Sequence, residues 1–114
     1  MATTSEFIEY VCSQIDEEYE PRYRKMFGDY MVYVHNRPVL LVCDNTVYVK
    51  QLDCMKNIME AADKGFPYNG AKEHYIVDID DRETLQLIVG KLEQVTPIPV
   101  KRNKKRKLES YIGS

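Results

Sequence analysis

The sequence predicts an α+β domain, a two-layer sandwich in which three helices pack mainly on one face of an antiparallel meander sheet. Three observations carry that expectation. Between residues 22 and 50, short runs of alternating apolar residues are joined by turn dipeptides, the pattern of successive hairpins. Three other stretches repeat apolar residues at helical spacing, so each has one face to bury. One side of the sheet is the surface available for that burial, which makes two layers. The expected element order is α-β(3-4)-α-β-α.

The first helix is expected over residues 5–19. Ser5 is its candidate N-cap, and Ile8, Val11, Cys12, Ile15 and Tyr19 form the buried stripe. Pro21 blocks continuation, because a proline steers the preceding residue out of the α region. Arg22 to Met26 is a short strand or an extended lead-in. Gly28 marks a bend. Tyr30 to His35 is a strand with Tyr30, Val32 and Val34 on one face and Met31, Tyr33 and His35 on the other. Asn36-Arg37 is the expected turn, and Pro38 sits at the next strand's start, where no ladder donor is needed. Val39 to Cys43 is apolar throughout, as suits a central strand. Asp44-Asn45 tolerates positive φ and makes a second turn. Thr46 to Lys50 closes the meander, with Val47 and Val49 inward and Tyr48 and Lys50 opposite.

A second helix is expected over residues 53–63, capped by Asp53 and buried through Met55, Ile58, Met59 and Ala62. The turn-rich loop 66–71 follows, then a strand from Tyr75 to Ile79. Asp80 is the expected cap of the last helix, with Glu83 at capping-box spacing. Its stripe is Leu85, Ile88, Val89, Leu92 and Val95. Gly90 within it costs up to about 1 kcal/mol relative to alanine, so a close packing contact is expected there. Thr96-Pro97-Ile98-Pro99 stops the helix.

The 114 residues suit one domain, over residues 1–100, followed by a basic tail, residues 101–114, that is expected to be disordered. The formal net charge of −2 conceals an asymmetry. Residues 1–100 carry 10 basic and 17 acidic residues, while Lys101, Arg102, Lys104, Lys105, Arg106 and Lys107 concentrate six cations in the tail. That block is the candidate nucleic-acid contact, through phosphate neutralisation. No apolar run approaches the roughly 20 residues of a membrane span, and the N-terminus has no signal-peptide pattern, so a cytoplasmic location is expected. Cys12, Cys43 and Cys54 are odd in number and lie in apolar patterns, which favours reduced core residues over a disulfide framework or a nucleophile.

The stretch Met26-Phe27-Gly28-Asp29-Tyr30, with Tyr33, the short meander and the closing Tyr48-Val49-Lys50, resembles the N-terminal domain of the TfoX/Sxy family. Asp29 stands where many members carry a second glycine, and the family's full-length regulators have a further helical domain that this chain does not include. The resemblance covers residues 5 to about 100. It implies a secretion-chaperone-like sandwich and a regulatory module associated with genetic competence, the uptake of DNA, through transcriptional co-regulation. On it, Met26, Phe27, Gly28, Asp29, Tyr30, Tyr48 and Lys50 are family-motif residues with a structural role.

Enzyme machinery is not expected. The five glycines are scattered, with no phosphate loop, and His35 and His74 are too isolated for a zinc site. The cluster Asp78, Asp80, Asp81 and Glu83 is better explained by helix capping than by a cation. The function expected is therefore a small non-enzymatic interaction module without cofactor, small-molecule ligand or membrane association. The alternatives are a nucleic-acid-binding protein acting through the tail and, third, a small enzyme. A protein partner or a homodimer is expected to use the sheet face that bears Tyr33, Tyr48 and Lys50, since exposed apolar patches mark such surfaces.

Overall fold

The computed structural model of the chain describes residues 3–26 and 28–99. Phe27 and the basic tail, residues 101–107 included, lie outside the described residues. The fold is α+β. A six-stranded antiparallel sheet has strand order β1-β2-β3-β4-β6-β5. Its strands are β1 Arg22–Met26, β2 Asp29–Val34, β3 Arg37–Cys43, β4 Thr46–Lys50, β5 Lys64–Gly65 and β6 His74–Val77. Two α-helices, α1 Ser5–Ser13 and α2 Arg82–Val95, pack on one face.

The meander follows from its turns. His35 and Asn36 link β2 to β3 with φ of 46° and 65°, and Asp44 and Asn45 link β3 to β4 with φ of 54° and 55°. Two consecutive positive φ values match the right-handed twist of the strands they join. The first turn therefore falls one residue earlier than Asn36-Arg37, and Arg37 belongs to β3. Between Val32 and Tyr33 the register of β2 against β3 slips, with Leu40 opposite Val32 and Pro38 opposite Tyr33. Val39 is the extra residue, and Pro38 takes its place at this bulge, where a missing N–H is tolerated.

The core lies between this sheet and the helices. Ile8, Val11 and Ile15 from the N-terminal segment and Leu85, Ile88, Val89 and Leu92 from α2 meet Val32, Val34, Leu40, Val42, Val47 and Val49. Truncating any of the fully buried members, such as Leu85, to alanine costs about 2–5 kcal/mol. The inward alternation of β2 and β4 is as the sequence predicts: Tyr30, Val32, Val34, Val47 and Val49 are buried against the helices.

Two of the three expected helices form as α-helices, and the second does not. Residues 53–63 become a 3₁₀ turn, Asp53–Met55, followed by further turns. Asp53 makes no cap bond to the backbone there; it sits 3.4 Å from Lys56 Nζ. The segment still buries Met55 and Met59, so the apolar stripe is satisfied without a regular helix. The first helix is shorter than residues 5–19. Ser13 Oγ returns a hydrogen bond to the Tyr10 carbonyl, and beyond Gln14 the chain runs irregularly into a 3₁₀ turn, Glu17–Tyr19. Such back-bonding competes with helix continuation. Its cap is Thr4, whose hydroxyl accepts from Phe7 N–H, one residue before Ser5. The last helix is capped by Asp81, which accepts from Thr84 N–H and Oγ1–H, in place of Asp80. The strand expected over Tyr75–Ile79 is β6, one residue earlier at its start and ending at Val77. Strand β5 lies outside the expected order; with two residues it is too short to show alternation.

The outer strand β1 is exposed at all five positions. Arg22, Arg24 and Lys25 place charge along that edge, which discourages pairing with another chain.

Candidate functional site

Register alone defines the sheet's second face. Directly paired residues share a face, so Arg24, Met31, Leu41, Tyr48 and Ile76 form one continuous row across five strands. Arg22 and Tyr33 lie beside it, as do Lys50 and His74, which pair with each other. None of these residues belongs to the core cluster beneath the helices.

An open groove of about 1160 Å³ draws its lining from both sides of the sheet, with Met31, Leu41 and Tyr48 from this face and Leu40, Val49 and Leu92 from the core side. Met31, Leu41 and Tyr48 give its floor an apolar strip. Leu52 and the loop residues Tyr68, Lys72 and Glu73 make one wall, and Val95, Thr96 and Pro97 make the other. Arg37 holds the second wall in place: its Nε donates to the Thr96 carbonyl at 2.9 Å, pinning the chain as it leaves α2. The first wall is held by Gln51 Nε2, which donates to Glu73 Oε1 at 3.2 Å, and by His74 Nδ1, 2.8 Å from the Lys72 carbonyl oxygen. The His74 ring stands edge-on to Tyr48, with centroids 6.3 Å apart.

The residues singled out from sequence fall in different places. Tyr48, Tyr33 and Lys50 share this face, as expected, with unequal access. Lys50 is exposed, Tyr33 is half-buried, and Tyr48 is only 9% exposed. A Cβ placed on Gly65 would come within 3.5 Å of the Tyr48 ring, which shows how closely β5 approaches it. Tyr30 is buried on the opposite side. Gly28 adopts φ 87° with open space around the position of a Cβ, so the backbone conformation, and no close neighbour, calls for glycine. Met26 lies away from the core. It pairs with Asp29 on the sheet's second face and is 39% exposed. Asp29 Oδ1 accepts weakly from Thr3 Oγ1 at 3.5 Å.

Sequence reasoning did not single out Leu41, Met31, Leu52 and Lys72. The alternation of β2 and β4 signals Met31; Leu41 reads as one more residue of an apolar run, and the loop residues depend on long-range contacts.

The titratable groups are tied into the fold. Burial is the main cause that pushes the Cys12 thiol up to about 11, with Glu9 adding to it. Burial likewise pushes Cys43 up to about 12, reinforced by the Asp29 carboxylate. Both are therefore neutral thiols at ordinary pH. In the acidic cluster, Asp80 accepts from the Tyr10 hydroxyl, Asp78 from the Asp80 N–H, and Asp81 caps α2. Among the described residues, no group of three or more His, Cys, Asp or Glu side chains gathers as a metal site would require. No helix among them is long and apolar enough to cross a membrane.

No family model matches the chain, and no solved structure matches it. Among curated proteins it is similar to an uncharacterized 12.7 kDa protein in the trpE 5′ region of Spirochaeta aurantia, with 29% identity over 109 residues that span 94% of this chain and 95% of that protein.

Proposed function

We propose that this chain is a small non-enzymatic interaction module, of the regulatory kind that resemblance to the TfoX/Sxy N-terminal domain implies, and that the groove on the helix-free face is its partner surface. The observation that carries this reading is the Met31–Leu41–Tyr48 strip, an apolar row on a central part of the sheet, on the face turned away from the core that the two described helices cover. Half-buried Met31 and Leu41 at the bottom of a walled groove are what a docking surface offers and what a solvated sheet face avoids.

The polar groups around the groove support a binding role over a catalytic one. Glu73 is held by Gln51, and His74 is turned to the Lys72 carbonyl, so the pair do not converge on a common point as an acid and base would. Replacing Met31 or Leu41 with glutamate places a carboxylate on the floor, whereas Leu87→Glu alters an exposed position on α2. Co-purification from the native host is expected to lose the same partner band with both groove variants and keep it with Leu87→Glu. Retention of the band by all three variants contradicts the assignment.

A further inference from the structure

The structure separates charge in a way that the net negative body conceals. Glu6 and Glu9 lie on α1 with no cation beside them on that helix, Asp16 and Asp80 lie on the flanking segments, and on α2 Glu83 and Glu93 are matched by Arg82 and Lys91, with Arg82 3.5 Å from Asp16. The second sheet face has the opposite character. Arg22, Arg24 and Lys50 lie on it by register, and Lys72 stands on the groove's wall; all four are exposed. Among the described residues of that face and wall, the carboxylates are Asp29, Glu73 and Asp63, which stands opposite Ile76.

The dimensions narrow the class of partner. Arg24 on β1 and Lys50 on β4 are three strand spacings apart, roughly 14 Å. Between them the floor is Met31 and Leu41. A helix with its side chains is about 10–12 Å across, so it fits between the two cationic borders. An extended peptide cannot add to the sheet here, because β2, β3 and β4 are already paired on both sides. A single-stranded nucleic acid would want open ring faces for its bases. The floor is aliphatic at Met31 and Leu41, and the Tyr48 ring is 9% exposed.

We infer that the second sheet face, where Met31 and Leu41 enter the groove, receives an acidic amphipathic helix from a partner protein, with its apolar face on Met31 and Leu41 and its carboxylates against Arg22 and Arg24 along β1, outside the groove, on one side and Lys50 and Lys72 on the other. This rests on the groove being the partner surface. Charge placed in this way steers encounter and fixes orientation, while the apolar floor supplies adhesion.

The test uses the full chain and three labelled probes followed by fluorescence anisotropy. The first is a helical peptide of about 18 residues with leucine on one face and glutamate on the other. The second is its lysine-for-glutamate counterpart, and the third is a single-stranded oligothymidylate of roughly 20 nucleotides. The acidic peptide is expected to bind at least about tenfold more tightly than the lysine peptide, and to weaken as salt rises from about 50 to 200 mM. The double variant Arg24→Glu/Lys50→Glu should weaken it by about tenfold while leaving the melting temperature unchanged. Unchanged acidic-peptide binding by that double variant overturns the inference. So does tighter binding of oligothymidylate that is lost in the same variant, which would make the face a nucleic-acid surface. If the lysine peptide binds preferentially and Leu41→Glu abolishes it, the groove remains the partner surface and the acidic class falls. If Leu41→Glu leaves every interaction unchanged, the groove assignment falls as well.

Discussion

A Cβ placed on Gly90 of α2 would lie 2.9 Å from the Tyr19 hydroxyl oxygen and 3.7 Å from the ring carbon that bears it. The glycine inside the helix is thus explained by close approach of the 3₁₀ turn that precedes β1. Two effects compete on substitution. Alanine gains up to about 1 kcal/mol of helix propensity. Against that, the Tyr19 hydroxyl must move, and as the end of a side chain it can move at modest cost.

Gly90→Ala is therefore expected to be more favourable in a Tyr19→Phe background, where the clashing atom is gone and the remaining 3.7 Å contact is ordinary. A double-mutant cycle by urea denaturation measures this. The coupling should be about 0.5–1 kcal/mol, with Gly90→Ala stabilising once the Tyr19 hydroxyl has been removed. Zero coupling would show that the two residues are not in contact.

The side chains of His35 and Glu93 are hydrogen-bonded to each other, joining the β2–β3 turn to α2. That bond to Glu93 is the largest cause raising the His35 pKa; burial works against it. A histidine pKa raised in the folded state makes its stabilising contribution complete below the unfolded value of about 6.5, and the contribution fades as pH rises through the folded value. Glu93→Gln should accordingly destabilise more at about pH 5.5 than at about pH 8.5. A histidine NMR titration should also show the His35 pKa falling in that variant. An equal loss of stability at both pH values contradicts the linkage.

Cys12 and Cys43, pushed to about 11 and about 12 mainly by burial, hold little thiolate at neutral or mildly basic pH. Alkylation by iodoacetamide at about pH 8 should be on the order of a hundredfold slower at Cys12 than at a free cysteine and slower still, by about a further tenfold, at Cys43, and both should rise to the free rate in urea. Rapid modification of either in the native protein would show a more open fold at that position.

The sequence is most legible where local chemistry decides the structure. Asp44-Asn45 can take positive φ at both positions, so the β3–β4 hairpin can be placed to the residue. The stripe of α2 spans a long regular helix, and Leu85, Ile88, Val89 and Leu92 are buried as expected, while Val95 at the helix's last position is half exposed. Legibility fails where two local answers are nearly equal. Asp80 and Asp81 are both capable caps, and the choice depends on Tyr10 engaging Asp80 and Thr84 meeting Asp81. Alternation extends the strand through His35, yet that residue occupies a left-handed turn position, which histidine adopts more readily than most residues. Residues 53–63 show the apolar spacing of a helix, but burial of Met55 and Met59 is met by irregular turns. The groove itself is partly visible in the sequence, because alternation places Tyr48 and Lys50 on the side away from the helices. Its depth is not, since the walls come from residues 68–74 and 95–97, far apart in sequence from the floor.

The sheet face turned away from the helices is the proposed partner surface. The most direct measurement is site-specific photo-cross-linking in cells of the native host, with p-benzoylphenylalanine placed once at Leu41 on the groove floor and once at Leu87 on the outer surface of α2. A discrete adduct from position 41, absent from position 87, is the predicted result. An adduct from position 87 with none from position 41 would place the partner on the helical face and contradict the account.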